Sequence, residues 1–168
     1  MTAPRRDRPQ LPQGYITTAP AGMLSWAAVQ RLLVSAPYFW IATTGADGAP
    51  HLVQQWGVWI DQQLIFEGSD HTRWARNLAR DPRIGFGMQN GNDAVYGDGK
   101  VDVIRDVPIA LARRIARQYG TKYGRGFKYR PKPEQYAKGY VFRVRPAKLI
   151  AFDVKRFNTS ATRFTFAD

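Results

Sequence analysis

The chain has 168 residues, 25 of them Lys or Arg against 13 Asp or Glu, for a net charge of +12. Hydrophobic residues make up 44% and aromatics 13%, enough for a packed domain and too much for wholesale disorder. Cysteine is absent, which excludes disulfides, zinc–thiolate sites, iron–sulfur clusters and a cysteine nucleophile. No apolar run approaches the roughly 18 residues of a membrane span, and the arginines near the N-terminus have no apolar stretch behind them, so a cytoplasmic protein is expected.

Residues 1–20 are rich in Pro, Arg, Gln and Thr and lack periodicity; they read as a mobile arm before a single domain over 21–168. Ser25 is placed to cap a helix in which Trp26, Val29, Leu32 and Leu33 recur at helical spacing, and Pro37 stops it. Residues 38–44 form an apolar strand, and Gly45-Ala46-Asp47-Gly48 has hairpin-turn chemistry. A second strand is expected over 50–60, a turn at 61–63 and a return over 64–68. Ser69-Asp70 opens a helix over 71–80 with Trp74, Asn77 and Leu78 facing inward, ended by Asp81-Pro82.

A strand follows over 83–89, a turn at 90–92, and a strand over 94–104 that Gly97 and Gly99 are suited to bulge. Asp106 is the expected cap of a helix reaching Tyr119, with Pro108 in its first turn. Residues 120–138 read as irregular, 139–144 and 148–154 as two strands split by Pro146, and 161–166 as a short closing strand. Helices and strands follow no βαβ rhythm. The predicted class is therefore mainly β with helices (α+β), a Greek-key barrel of six or seven antiparallel strands.

Equipment for acid–base or covalent catalysis is missing. His51 and His71 lie twenty residues apart, without helical ligand spacing, and no metal site is expected. No serine sits in a Gly-x-Ser-x-Gly setting, and neither a P-loop nor a Gly-x-Gly-x-x-Gly turn is present. Glu67 and Glu134 are the only glutamates. An enzyme of this composition would depend on a bound cofactor for its reactivity.

The charge is localised. Residues 105–156 hold 15 Lys or Arg and three acids, which accounts for the whole excess. Such a block points to an anionic partner. Its interleaved Tyr119, Tyr123, Phe127, Tyr129, Tyr136 and Tyr140 also suit a single-stranded nucleic-acid surface, which is one rival reading.

One stretch carries more than composition. It runs Trp40-Ile41-Ala42-Thr43-Thr44, Asp47-Gly48-Ala49-Pro50-His51, Trp56-Gly57-Val58-Trp59 and Leu64-Ile65-Phe66-Glu67-Gly68, then Arg76-Asn77-Leu78-x-x-Asp81-Pro82-Arg83. It resembles the split-barrel superfamily of pyridoxamine 5′-phosphate oxidase and the flavin/deazaflavin oxidoreductases, and residues 161–166 look like the closing motif of the deazaflavin branch. The resemblance covers residues 25–166. It implies a homodimer with FMN or the deazaflavin coenzyme F-420 in the groove between subunits, and hydride transfer to a small unsaturated or quinone-like substrate.

By that resemblance Val53, Gln54, Gln55 and Trp56 line the cofactor groove. Glu67, Gly68 and the following helix start are expected at the same barrel edge, where free amides, the Thr72 hydroxyl and the Arg73 guanidinium suit a phosphate. Trp74 and Asn77 complete the candidate set, with core packing and a local backbone bond as their structural alternatives. Lys122, Arg125, Lys128 and Arg130 are candidate contacts for an anionic cofactor tail, and His51 is the first catalytic candidate. The pattern departs from pyridoxamine oxidases in having Val53 where they carry Arg, Trp74 where Lys is usual, and Thr-Phe-Ala-Asp at the end. Vitamin B6 oxidation is therefore not expected. A non-catalytic carrier of flavin, haem or bilin on the same barrel is the other alternative.

Overall fold

A computed structural model describes residues 2–167. After strand β1 (Arg5–Asp7), Ser25 caps helix α1 (Trp26–Ser35), its side chain accepting the Ala28 amide. Strands β2 (Phe39–Thr44) and β3 (Pro50–Gln55) form a hairpin. Its turn is held by the Asp47 carboxylate, which accepts the Ala49 amide at 3.0 Å, and by Gly48, whose φ of +80° disfavours any side chain. Strand β4 (Val58–Ile60) then pairs with β5 (Gln63–Phe66). Their turn places Asp61 and Gln62 in the left-handed region, and Arg114 clamps Asp61 with two bonds of 2.6 Å.

Helix α2 (Arg73–Arg80) follows, then strands β6 (Arg83–Asn90) and β7 (Asp93–Arg105). Helix α3 (Ile109–Tyr123), short α4 (Pro133–Ala137), strand β8 (Tyr140–Asp153), a one-turn α5 (Phe157–Ser160) and strand β9 (Thr162–Thr165) complete the described residues. The antiparallel strand order is β1-β9-β8-β7-β6-β2-β3, with the β4–β5 hairpin joined through β5 to β8.

The α+β antiparallel class is as expected; the inventory of elements differs in instructive ways. The expected strand over 50–60 breaks at Trp56-Gly57. The two expected strands around Pro146 are one. Along β8, Phe142–Val144 pair with β5 and Lys148–Ala151 pair with β9, so Pro146 stands where one neighbour hands over to the next. The missing proline amide costs nothing at such a junction. Opposite it, β7 shifts register at Asp98/Gly99, where a Cβ on Gly97 would lie 1.9 Å from the Lys148 carbonyl oxygen. The extra residue of the irregularity is Ala147 on β8 and not a glycine of β7 as expected; Gly97 and Gly99 stand where two backbones approach too closely for any side chain.

Residues 5–7, expected in a mobile arm, pair with β9, and the Arg8 guanidinium donates to the carbonyls of Ala19, Ala21, Thr159 and Ala161. No local pattern could reveal this, since the acceptors on the far side lie some 150 positions away. Residues 120–138 are less irregular than read: α3 runs through Gly120 and α4 forms at Pro133. Asp106 does not cap α3. It takes a left-handed φ of +49°, and Pro108 precedes the helix without a side-chain cap.

Two apolar clusters organise the molecule. One fills the barrel, with Phe39, Ile41, Trp59, Phe66, Trp74, Phe86, Phe142 and Phe164 among its members. The other lies between α3, α4 and the opposite face of the β4–β5 hairpin, and holds Ile60, Ile65, Ile115, Tyr119, Tyr123 and Tyr136. Buried on both faces, Val58–Ile60 of β4 and Leu64–Phe66 of β5 read as unbroken apolar runs. The outer face of the main sheet is different: Trp40, Leu52 and Tyr96 stay 43%, 63% and 46% exposed.

Candidate functional site

The candidate groove is organised by β3. It pairs with β2 alone and leaves its other edge without a strand. The register sets Val53 opposite Ile41, His51 opposite Thr43 and Gln55 opposite Phe39, so these three share the inward face, while Gln54 sits opposite Trp40 on the outer one. The four consecutive groove candidates are thus divided: Val53 and Gln55 line the α2 side, and Gln54 belongs with Leu52 and Trp40.

Helix α2 is capped by Thr72, not by the expected Ser69-Asp70. The Thr72 hydroxyl accepts the Ala75 amide at 3.3 Å and donates to the Ser69 carbonyl at 2.8 Å. It is thereby committed locally, and the amides of Arg73 and Trp74 are the ones a helix start leaves without intrahelical acceptors. Arg73 is exposed and makes no ion pair among the described residues. Its guanidinium leans toward the β2–β3 turn, where a Cβ on Gly45 would lie 3.5 Å from it. The Asp47 carboxyl there is held below the usual carboxylate range, first by the Ala49 amide and its own, then by the charges of Arg73 and Arg80.

Trp74 and Asn77 are in the core. Trp74 is 5% exposed and packs edge-on against Phe66 and Phe142, and its ring lies so close over Gly68 that a Cβ there would sit 2.6 Å from it. Asn77 donates to the Thr43 hydroxyl at 3.0 Å, which ties α2 to β2. Arg76 turns back to the His71 carbonyl and Arg80 to that of Thr44. His71 is exposed beside Asp70, and no group of three or more potential metal ligands occurs among the described residues.

At the far end of β3 the break is held by α3. Tyr123 Oη accepts the Gly57 amide at 3.0 Å and donates to the Gly57 carbonyl at 3.1 Å, and Lys122 Nζ donates to the same carbonyl at 2.7 Å. Lys122, expected at the rim to meet an anionic tail, is thus turned inward, over the rings of Phe39 and Tyr123. Burial lowers its pKa to about 8. Trp56 stacks on Tyr123 with centroids 4.4 Å apart and planes at 7°, and Phe127 and Tyr129 close around it.

Glu67 ties the end of β3 to the tyrosines that follow α3. Its carboxylate accepts from Tyr129 at 2.6 Å and from Tyr136 at 3.4 Å, and its carbonyl accepts the Gln55 side-chain amide at 2.7 Å. Desolvation raises the Glu67 pKa, against the two phenol bonds that lower it. Burial likewise pushes the Tyr129 phenol up to about 12. The roles of Tyr123, Tyr129 and Tyr136 are invisible in a sequence reading; the one available signal was the density of tyrosines over 119–140 in an otherwise basic segment.

Arg125, Lys128 and Arg130 are exposed on the loop after α3. Among the described residues no helix is long and apolar enough to cross a membrane.

The strand order, the branched pairing of β8 and the helix laid across β2 define an antiparallel split barrel. The family model described as pyridoxamine 5′-phosphate oxidase matches residues 25–153, and the chain belongs to that family. No curated protein matches it in sequence. Among solved structures it is similar to a conserved hypothetical protein from Mycobacterium tuberculosis, with 24% identity, a TM-score of 0.68, and 88% of this chain and 92% of that one covered. An F420 reductase matches at 21% identity and a TM-score of 0.53, over 83% and 98% of the two chains. A pyridoxamine 5′-phosphate oxidase-related, FMN-binding protein from Nostoc punctiforme matches at 14% identity and a TM-score of 0.56, over 87% and 98%. These likenesses concern the fold.

Proposed function

We propose that this chain is a homodimeric oxidoreductase that holds FMN or the deazaflavin coenzyme F-420 along β3 and transfers a hydride between that cofactor and a small unsaturated or quinone-like substrate. The observation that carries the reading is that the hairpin with the unpaired β3 edge has its turn approached by Arg73, an unpaired guanidinium at the start of α2. An edge strand offers amides and carbonyls to a planar heterocycle, and a helix start offers amides to a phosphate. Thr72 holds the helix start in place, Arg73 contacts the phosphate, and Val53 and Gln55 contact the ring from the inner face of β3.

When bound, the cofactor would supply the hydride chemistry, which no side chain of this protein can supply. The protein binds, orients and excludes water. Trp56 and the loop around Phe127 and Tyr129 cover one end of the groove, and the exposed Trp40, Leu52 and Tyr96 suit the face of a second copy that would cover the other side.

The test is a titration of the purified protein with FMN and with coenzyme F-420, read by absorbance and fluorescence, alongside Arg73→Ala. Saturable binding of one of them, weakened by roughly 1.5–3 kcal/mol in the variant, is the expected result for a charge-assisted contact. Failure to bind either cofactor refutes the reading, and unchanged affinity in the variant removes the proposed phosphate contact.

A further inference from the structure

The block of positive charge over residues 105–156 divides once the fold is known. Arg114 pairs with Asp61, Arg143 and Arg145 with Asp102, Lys148 with Asp98, and Arg156 with Asp153. Lys122 is committed to Gly57. The strand portion of the block is thus largely neutralised by local carboxylates. Most of the cations that remain lie on α3, on the loop after it and at Lys132 and Lys138, which flank α4.

Three of these cations, Arg117, Arg125 and Arg130, line one cavity of about 410 Å³ with Thr121, Gly120, Ala116 and Pro131, and no acidic side chain lines it. None of the three makes a hydrogen bond or an ion pair to a protein group among the described residues, although seven other arginines there pair with aspartates. Arg117 and Thr121 are one turn apart on α3 and present neighbouring side chains. Arg130 returns across the end of the helix: a Cβ on Gly124 would lie 3.2 Å from its Nε. Gly120 leaves open space at its own Cβ position. The cavity also lies at the C-terminal end of α3, whose partial negative charge favours cations there. Three guanidiniums around one concavity with no acid beside them make a local positive potential that attracts an anion, set against the negative helix end.

We propose that Arg117, Arg125 and Arg130, with the Thr121 hydroxyl, form a binding site for a phosphate group of a small molecule carrying at least two negative charges. Planar guanidiniums hold such groups through paired bonds. The site shares Arg125 and Arg130 with the expected cofactor-tail contacts, but it is separate from the residues at β3 and α2, and Lys122 and Lys128 do not line it. The phosphate belongs to a compact ligand and not to a nucleic-acid strand. A strand-binding surface needs stacking rings in the open, yet Tyr119, Tyr123 and Tyr136 are 2% exposed or less, and Phe127 is the one large aromatic of this limb left open.

The test uses inorganic pyrophosphate as the probe, titrated into the full-length protein at low salt and followed by calorimetry. Saturable binding at one site per chain is expected, weakened at least tenfold in Arg117→Gln/Arg125→Gln. It should stay within about twofold of wild type in Arg113→Gln, which removes an exposed α3 charge outside the cavity. These side chains are exposed, and matching thermal melts will show that the variants fold. Absence of pyrophosphate binding overturns the proposal, as does an equal loss in Arg113→Gln, which would mean diffuse attraction. Binding of a single-stranded oligonucleotide that pyrophosphate does not displace, and that the double variant loses, would also overturn it. Where the site is upheld, competition between pyrophosphate and coenzyme F-420 assigns it to a cofactor tail, and its absence assigns it to a separate phosphorylated ligand.

Discussion

Tyr123 bonds both backbone groups of Gly57: its hydroxyl accepts the amide and donates to the carbonyl. Gly57 lies where the chain leaves β3 for β4; its amide would otherwise be buried without a partner in a segment that has left the ladder, while its carbonyl also accepts from Lys122. A tyrosine near the end of α3 thus fixes the direction in which the edge strand ends, and with it the position of Trp56. Replacing Tyr123 by Phe keeps the stacking but orphans the Gly57 amide. A loss of roughly 1–3 kcal/mol in urea denaturation is expected, with altered Trp56 fluorescence. Unchanged stability would mean that solvent takes over the amide.

Lys122 gives a pH dependence whose sign is fixed. Its folded-state pKa of about 8 lies below the ordinary lysine value of 10.5. Between those values the unfolded chain holds a proton that the folded one has released, so the contribution to stability rises with pH across that window. Tyr119, Tyr123, Tyr129 and Tyr136 are all raised above the ordinary value of 10.0, so they do not compete below it. The stability of wild type relative to Lys122→Met should therefore climb from pH 8 to pH 10. A flat difference would show that the ammonium is hydrated.

Glu67 shows the opposite trend. Its folded-state pKa is raised, chiefly by desolvation, so its favourable contribution is complete below the unfolded value near 4.5 and is lost as pH rises through the folded one. Glu67→Gln keeps an oxygen for the Tyr129 hydroxyl and removes the buried charge, and should equal or exceed wild type in stability at pH 7. Glu67→Ala leaves two phenols without their acceptor and should cost roughly 1–3 kcal/mol. Thermal melts at pH 4 and pH 7 distinguish the two; a destabilised Gln variant would show that the charge itself holds the loop.

The outer face of the sheet predicts an oligomeric state. Trp40, Leu52 and Tyr96 are exposed on one face of the sheet, on β2, β3 and β7, with only Gly87 of β6 between Trp40 and Tyr96, and large apolar residues exposed on one face suit a subunit contact. Sedimentation should give a dimer for wild type and a monomer for Trp40→Glu. A monomeric wild type would refute the proposed subunit groove.

Much of the fold was legible because local chemistry fixes it. Ser25 caps because its hydroxyl reaches an amide three residues on, and Asp47-Gly48 turns because one side chain bonds locally and glycine tolerates a positive φ; the faces of the apolar strand β2 were assigned only by the fold. The Trp-Gly-Val-Trp and Arg-Asn-Leu segments carry the family, and these too are contiguous. Roles within the site were less legible. Thr72, Trp74 and Asn77 sit where a ligand contact was expected, but a hydroxyl, an indole and an amide serve equally well as a cap, a core residue and an inter-element bond, and their neighbours decide between these uses.

The charge is the clearest case. The amino-acid sequence by itself determined that the molecule is basic, that the excess lies in residues 105–156, and that the chain builds an antiparallel barrel of a known family. It could not determine which cations are already neutralised, because Asp61, Asp98 and Asp102, which pair with Arg114, Lys148, Arg143 and Arg145, come from elsewhere in the chain. Tertiary structure brings these groups within a few ångströms, where the Coulomb interaction is strong, and leaves Arg117, Arg125 and Arg130 together without an acid. A count of charges is additive along a sequence; their free energy depends on separation and burial, which the fold sets.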